Sequence, residues 1–189
     1  LSLDGADHHR FFQKIERTKY ETLLSHSSLF SHFLLSLSSM GRFDDAEVDD
    51  ILQMVPHVEY ALAYGSALTD DKAAMADLLL AVKDPHEWHI RNLQNNPRHY
   101  ALAPRLAGPT AITYLQSKGA GLYYNAYVPW RPNRLIKYGV ISTDAMQADL
   151  LHWDRLYVAG RMHKPVQHLR AHAKLDAAAH TNRHSAVAA

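Results

Sequence analysis

The sequence contains no cysteine among its 189 residues, which excludes disulfides and thiolate chemistry and fits a reducing compartment. It also lacks an apolar run of about 18 residues, and this argues against a membrane-spanning helix. Neither sign of charge dominates, because 20 Lys and Arg face 19 Asp and Glu. Bulk electrostatic binding to nucleic acid is therefore not predicted, although the 14 histidines would make the chain cationic near pH ~6.

The composition that is present is that of a soluble globular domain. Apolar residues make up 47% of the chain and charged residues 21%, both ordinary values for such domains. A chain of this length is large enough to bury a sizeable core. The first residue is Leu1 and not Met, as in a partial sequence or in a protein whose targeting peptide has been removed.

The first half of the chain predicts helices followed by a pair of strands. Two apolar-periodic stretches within residues 1–41 are typical of helices. The segment FDDAEVDDILQMVP predicts a short helix, capped by Asp44 or Asp45 and ended by Pro56. Two apolar strands are predicted at residues 58–64 and Met75–Val82, joined by GSALTDDKAA.

The second half predicts a helix, a hairpin and further helices. Asp84 can cap a helix that runs to about Gln94, with Pro85 at its first position and Glu87 reaching back to the cap. The other predicted elements are a helix at Thr110–Ser117 closed by Gly119, a β-hairpin of LYYNAYVPW and RLIKYGVIS around RPN, one amphipathic helix at Thr143–Gly160, and an Ala- and His-rich tail that is helical or loosely ordered.

This order of elements predicts an α+β fold, in which helices cover a small mixed sheet. We divide the chain into an N-terminal helical extension (residues 1–44), a central domain (45–168) and a C-terminal tail (169–189). The nucleotidyltransferase (polymerase-β-like) fold has the layout predicted for the central domain.

The segment YGSALTDDKAAMAD carries the clearest chemical signal. Gly65 lets the backbone approach a triphosphate, and Ser66 can donate hydrogen bonds to phosphate oxygens. Asp77 can hold Mg²⁺ if strand pairing brings it beside this turn. The alternative interpretation is an ordinary Gly-Ser turn with a carboxylate at a strand end. Many nucleotidyltransferases carry a second acid two residues after the first, where this chain has Leu79.

Four blocks between Tyr64 and Val166 resemble one family in the same order: YGS, MADLLLAVKDPHEWHIRNLQNNPRHY, GAGLYYNAYV and LIKYGVISTDAMQADLLHWDRLYVAGRMHKPV. This is the mitochondrial translocator assembly and maintenance family, whose members are peripheral CDP-diacylglycerol synthases, or phosphatidate cytidylyltransferases. The resemblance implies a nucleotidyltransferase fold on the matrix side of the inner mitochondrial membrane. It also implies that CTP and phosphatidate are joined, with Mg²⁺, to give CDP-diacylglycerol and pyrophosphate on the route to cardiolipin.

The resemblance also implies roles for particular residues. It assigns catalysis to Asp77 and Lys137, with Asp77 as the Mg²⁺ ligand, and it makes Asp149 either a second metal ligand or a salt-bridge partner. Phosphate binding falls to Tyr64, Gly65, Ser66, Arg161 and Lys164. For Trp88, His89, His99 and Tyr100 we expect core packing and hydrogen bonding.

Three departures from the family leave the function open. The ALTDDKAA loop is shorter than the family's and holds Asp70 and Asp71, the N-terminal helices have no counterpart, and the family continues well past KPV. Leu79 is not a departure, because the family itself carries a single Asp there. The chain is thus either an active cytidylyltransferase or a degenerate homologue that serves as an accessory subunit of a mitochondrial inner-membrane complex. A module that holds CTP without turnover is a third alternative.

Overall fold

A computed structural model of the chain describes residues 43–68 and 75–188. The predicted helices within residues 1–41 lie outside this part, as do residues 69–74 of the predicted phosphate loop. The described helices are α1 (Asp45–Gln53), α2 (Pro85–Asn95), α3 (Leu102–Lys118), α4 (Thr143–His152), α5 (Tyr157–Arg161) and α6 (Ala173–Ala188). The strands are β1 (Tyr60–Tyr64), β2 (Met75–Val82), β3 (Tyr123–Arg131), β4 (Arg134–Ser142) and β5 (Val166–Arg170), and short 3₁₀ turns lie at Ser66–Leu68 and Pro97–His99.

The five strands form one mixed sheet in the order β3-β4-β2-β1-β5. Strands β2 and β4 run parallel, and the other neighbouring pairs are antiparallel. This arrangement confirms the predicted α+β class. Among the described residues, no helix has the length and apolar character needed to cross a membrane.

Both faces of the sheet are covered, which explains the uninterrupted apolar runs of β1 and β2. Leu78 and Leu80 belong to one core cluster, which also contains Ile51 of α1 and Trp88 of α2. Their strand neighbours Leu79 and Ala81 belong to a second cluster, formed with these residues of α4, α5 and α6: Met146, Leu150, Val158, Leu175, Ala178 and Ala179. The alternation follows from the two-residue period of a strand.

The helices α1 and α2 begin at the capping residues that the sequence predicts, Asp44 and Asp84. The Glu47 amide donates to the Asp44 carboxylate at 2.8 Å, and the Asp44 amide donates to the Glu47 carboxylate at 3.2 Å. This reciprocal pair is a capping box. Asp84 caps α2 by accepting the amides of His86 and Glu87, so Glu87 contributes its backbone N–H to this cap.

Two of the predicted helices differ from the structure. The helix predicted at Thr110–Ser117 is the second part of α3, which begins at Leu102 and is kinked where Gly108 adopts a φ of +83°. The single helix predicted at Thr143–Gly160 is wrong. Trp153 and Leu156 adopt left-handed conformations with φ of 57° and 55°, so the chain turns between α4 and α5.

The segment after residue 165 contributes more to the fold than the sequence predicts. No strand was predicted there, yet β5 pairs with β1 at the edge of the sheet, and the predicted boundary at residue 168 falls inside this strand. The predicted tail contains the helix α6, whose Leu175, Ala178 and Ala179 are buried in the second core cluster. Most of the tail is therefore packed onto the central domain.

The predicted packing and hydrogen bonding of the aromatic and histidine pairs is confirmed. His89 is buried. Its Nδ1 lies 2.7 Å from the Tyr100 hydroxyl, and its Nε2 lies 3.4 Å from the side-chain oxygen Oε1 of Gln116. Trp88 donates its indole N–H to the Pro56 carbonyl at 3.2 Å. His99 contacts the Tyr138 hydroxyl at 2.8 Å.

Acidification is expected to lower the free energy of unfolding, partly through His89. Burial lowers the pKa of His89 to about 4, whereas an unfolded histidine titrates near ~6.5. Between these values the unfolded chain binds more protons than the folded one, so stability falls as the pH drops from about 6.5 toward 4. Urea unfolding across this range should show a shallower pH dependence in His89→Gln than in the parent chain. Parallel pH profiles would contradict the assignment.

Candidate functional site

The end of β1 brings a glycine turn against a carboxylate of β2. Tyr64, the last residue of β1, pairs with Asp77 in β2, and Gly65 follows with a φ of +83°. A Cβ added to Gly65 would lie 3.3 Å from Oδ2 of Asp77. Glycine therefore suits this position twice, because it accepts the left-handed backbone and it leaves room for the carboxylate.

Asp77 also faces a lysine across the parallel strand pair. Lys137 of β4 is its register partner, and Lys137 Nζ lies 3.7 Å from Asp77 Oδ1. Both side chains are partly exposed, 26% for Asp77 and 31% for Lys137. The Oδ1 atom itself is buried and has no hydrogen-bond partner among the described residues. A buried carboxylate oxygen without a donor is suited to a cation or a proton-bearing ligand.

Three tyrosine hydroxyls form a chain beside this ion pair. The Tyr124 hydroxyl lies 3.2 Å from that of Tyr64 and 3.1 Å from that of Tyr157. The Arg161 guanidinium is 5.1 Å from the Tyr64 ring centre and 5.4 Å from that of Tyr157, and its Nη2 donates to the Tyr157 hydroxyl at 3.4 Å. Lys137 Nζ lies 4.8 Å from the centre of the Tyr124 ring. Two cations are thus held against aromatic faces, a favourable geometry for a positive charge.

The pKa values of the three tyrosines are shifted in different directions. Burial raises the pKa values of Tyr64 and Tyr124. Burial also acts to raise the pKa of Tyr157, but its hydrogen bonds with Tyr124 and Arg161 outweigh this effect, so the pKa of Tyr157 is lowered. The hydrogen bond to Tyr157 in turn raises the pKa of Arg161. The pair therefore favours a polarised Tyr157 oxygen beside a permanent cation.

The remaining predicted phosphate-binding residues lie around the same strand end. Ser66 is exposed and opens the 3₁₀ turn after Gly65. Lys164 is exposed in the turn between α5 and β5, where its backbone N–H donates to the Arg161 carbonyl at 3.2 Å. Because Val166 of β5 pairs with Tyr64, the segment carrying Lys164 runs next to the Gly65 turn.

Asp149 serves a different purpose from the predicted metal ligand or salt-bridge partner. Its side chain is buried. Oδ1 accepts the backbone N–H groups of Arg155 and Leu156 at 2.8 and 2.7 Å, and Oδ2 accepts those of Val158 and Ala159 at 2.7 and 3.2 Å. These bonds occupy all four acceptor positions of a carboxylate. Asp149 therefore holds the turn that leads into α5, and α5 carries Tyr157 and Arg161.

Among the residues that the structure describes, the site offers one carboxylate for a divalent cation. Within the described part of the chain, no group of three or more His, Cys, Asp or Glu side chains is arranged to hold a metal. The Oδ1 of Asp77, which accepts no hydrogen bond from a described residue and faces Lys137 Nζ at 3.7 Å, is a suitable oxygen ligand. Mg²⁺ commonly takes only one or two protein carboxylates, and substrate phosphates and water complete its shell. The residues present therefore fit Mg²⁺ that arrives with a polyphosphate.

Sequence reasoning missed Tyr124 and Tyr157 as members of this cluster. Both lie in blocks that carry the family resemblance, LYYNAYV and DRLYVAG. Neither block shows that the two hydroxyls meet, because Tyr124 and Tyr157 lie 33 residues apart in the chain and on different elements.

Comparison with known proteins gives a consistent result. Residues 48–189 match the model of a family described as "Phosphatidate cytidylyltransferase, mitochondrial". A protein of that name from Danio rerio is 51% identical over 116 residues, which cover 57% of this chain and 34% of the relative. The Xenopus laevis protein is 46% identical over 126 residues, with 65% and 37% covered, and the Homo sapiens protein is 45% identical over 115 residues, with 57% and 25% covered. The matches thus span between about a quarter and 37% of the length of these curated relatives.

Proposed function

Because this chain belongs to the family of mitochondrial phosphatidate cytidylyltransferases, we propose that it joins CTP to phosphatidate and forms CDP-diacylglycerol and pyrophosphate. The observation that carries the proposal is the meeting of Asp77, Lys137 and Arg161 beside the Gly65 turn. A carboxylate whose Oδ1 accepts no hydrogen bond from a described residue, together with two cations near a glycine turn, suits the binding of a polyphosphate and its metal ion. Asp77 and Lys137 lie 3.7 Å apart on neighbouring strands, and Arg161 of α5 lies 5.1 Å from the ring centre of Tyr64, the register partner of Asp77.

The proposed reaction is an in-line displacement at phosphorus. A phosphatidate phosphate oxygen attacks the α-phosphorus of CTP, a new P–O bond forms, and the bond to pyrophosphate breaks. Asp77 would hold the Mg²⁺ that accompanies the triphosphate, and the bound ion would supply charge neutralisation for the leaving pyrophosphate. Lys137 and Arg161 orient the phosphates and neutralise their charge, while the backbone at Gly65 and Ser66 lines the turn that receives them. Positioning and charge neutralisation supply most of the rate in phosphoryl transfer, and no covalent intermediate is needed.

The test is an assay of the purified chain with Mg²⁺, labelled CTP and vesicles that contain phosphatidate. We expect labelled CDP-diacylglycerol together with an equal amount of pyrophosphate. Binding of Mg-CTP without product would replace the enzyme with a module that holds the nucleotide. Failure to bind CTP at all would leave the accessory-subunit alternative, which stable migration within a large mitochondrial membrane complex would support.

The proposed lipid substrate requires contact with a bilayer, which we place on the matrix side of the inner mitochondrial membrane. The outer surface of α3 suits such contact. Leu106 is 76% exposed there, and the other large exposed apolar side chains of α3 are Leu102, Tyr114 and Leu115. Arg105 and Lys118 are exposed on the same helix, and the chain has no Asp or Glu between Glu87 and Asp144. Apolar side chains among cations are typical of surfaces that bind anionic lipid.

Replacing Leu106 with Asp is expected to weaken binding to vesicles of phosphatidate and phosphatidylcholine. The change removes apolar area and adds a charge that the anionic surface repels, which together should reduce binding roughly 10-fold. Co-sedimentation with vesicles measures the binding. Leu156→Asp is the matched control, because Leu156 is also exposed but lies outside α3. Equal binding of the two variants would show that α3 faces something other than lipid, such as another protein segment.

A further inference from the structure

The two cations of the site reach it from different parts of the fold. Lys137 projects from β4, and Arg161 lies at the end of the short helix α5. Both are long side chains that lose substantial rotamer freedom when they are fixed. A polyphosphate that had to order both of them would bind more weakly than one that met them already in place. Contacts that order Lys137 and Arg161 before a ligand arrives would therefore strengthen polyphosphate binding.

Tyr124 is the residue that connects the two cations. Its ring lies against Lys137, with Nζ 4.8 Å from the ring centre. Its hydroxyl lies between those of Tyr64 and Tyr157, at 3.2 and 3.1 Å. These two outer tyrosines are also the ones whose rings contact Arg161. One side chain thus touches Lys137 directly and Arg161 through its two hydroxyl partners.

Gly139 provides the seat for the Tyr124 ring. It is the register partner of Tyr124 in the β3–β4 pair, and it lies two residues from Lys137 on the same face of β4. A Cβ added to Gly139 would come within 2.6 Å of Cε1 and 2.8 Å of Cζ of Tyr124. Such distances are well inside van der Waals contact, so the ring can lie across β4 only because residue 139 has no side chain.

We propose that Tyr124, seated on Gly139, is a positioning residue that holds Lys137 and Arg161 ready for a polyphosphate. The nucleotide identity of that ligand rests on the proposed function, whereas the arrangement of the two cations does not. Tyr124 acts through its neighbours. Its ring restrains the lysine by a cation–π contact, and its hydroxyl restrains the two tyrosines that flank the arginine.

The test uses inorganic tripolyphosphate with Mg²⁺, because this probe needs neither a base nor a lipid. Calorimetry should show binding to the purified parent chain. Tyr124→Phe keeps the ring and removes one hydroxyl, and its affinity should fall about 5-fold, the usual effect of losing a hydrogen bond. Tyr124→Leu also removes the cation–π contact, and its affinity should fall more than about 10-fold. Gly139→Ala should resemble Tyr124→Leu, although it keeps every functional group of the site.

The matched control is Tyr123→Phe. Tyr123 neighbours Tyr124 in β3 but stacks on Tyr100, on the other face of the sheet, and this variant should bind tripolyphosphate like the parent chain. A readout specific to the hydroxyl chain is the ionisation of Tyr157, followed by NMR of ¹³C-labelled tyrosine and assigned with Tyr157→Phe. Tyr124→Phe should raise the pKa of Tyr157, because the hydrogen bond between the two hydroxyls lowers it. A merely structural role would lower the melting temperature and leave the affinity for tripolyphosphate unchanged.

The possible outcomes separate this inference from the proposed function. Tripolyphosphate binding that depends on Tyr124, in a chain that makes no CDP-diacylglycerol, would support the positioning role and sink the proposed reaction. If Tyr124→Phe forms product with an unchanged KM for CTP and binds tripolyphosphate as tightly as the parent chain, the proposed reaction would be supported and the positioning role would be contradicted. If Gly139→Ala does not fold, the affinity of Tyr124→Phe for tripolyphosphate still tests the positioning role. A parent chain that does not bind tripolyphosphate would overturn the inference.

Discussion

Replacing Asp77 with Asn is expected to lower CDP-diacylglycerol formation by roughly 10²–10³-fold, the range seen when one preorganised electrostatic group is removed from a transition state. The substitution keeps the size of the side chain but removes the charge that would hold Mg²⁺ beside the Gly65 turn. It also removes the ionic partner of Lys137, whose Nζ lies 3.7 Å from Oδ1. Initial rates at several Mg²⁺ concentrations measure the effect, and the loss should persist at saturating CTP, because the missing charge matters most as pyrophosphate leaves.

The control for this variant is Asp144→Asn. Asp144 is exposed in the first turn of α4, at the opposite end of the β2–β4 ladder from Asp77, and its replacement should leave the rate near that of the parent chain. The two variants should unfold at similar denaturant concentrations. Full activity in folded Asp77→Asn would rule out Asp77 as a catalytic group and would place any metal elsewhere.

Replacing Asp149 with Asn is expected to reduce the free energy of unfolding by about 3 kcal/mol, because hydrogen bonds to charged groups are the stronger ones and a buried N–H left unpaired is costly. The carboxylate accepts four backbone N–H groups. An Asn side chain retains one acceptor oxygen and turns an NH₂ donor toward two backbone N–H donors. Urea unfolding followed by circular dichroism measures the change.

The matched control is Asp154→Asn, in the same turn but at an exposed position. It should change the unfolding free energy by less than about 0.5 kcal/mol, as surface substitutions usually do. Because the Asp149 turn leads into α5, Asp149→Asn should also raise the KM for CTP through Arg161. Equal stability of the Asp149 and Asp154 variants would mean that the buried amides find other partners.

Local sequence signals predicted several elements well. The capping residues Asp44 and Asp84 and the apolar run Met75–Val82 lie where the structure begins α1, begins α2 and places β2. These signals depend on neighbours within about four residues, so they can be recognised without knowing the fold. The break at Trp153 and Leu156 could not be predicted in this way. Both left-handed residues are held by a turn that Asp149 organises from the preceding helix.

The strand β5 escaped prediction for a related reason. Its five residues, VQHLR, do not alternate cleanly between apolar and polar, and the strand exists because β1 leaves an edge open to pair with it. Strand propensity is weak and depends on the neighbouring strand. The helix α6 likewise has few large apolar residues, and small side chains such as Ala178 and Ala179 suffice because α6 packs closely against α4.

The sequence by itself determined the family, the order of the main elements and the residue types at the site, since motifs, caps and apolar periodicity are local in the chain. Tertiary structure alone decided how those residues meet. Tyr64, Asp77 and Lys137 become neighbours through strand register, and Tyr124 reaches both cations because it lies across Gly139. The four backbone N–H groups that donate to Asp149 show that it stabilises a turn, where the sequence suggested a metal ligand or a salt-bridge partner. Distances between side chains on separate elements depend on packing, and no local pattern encodes them.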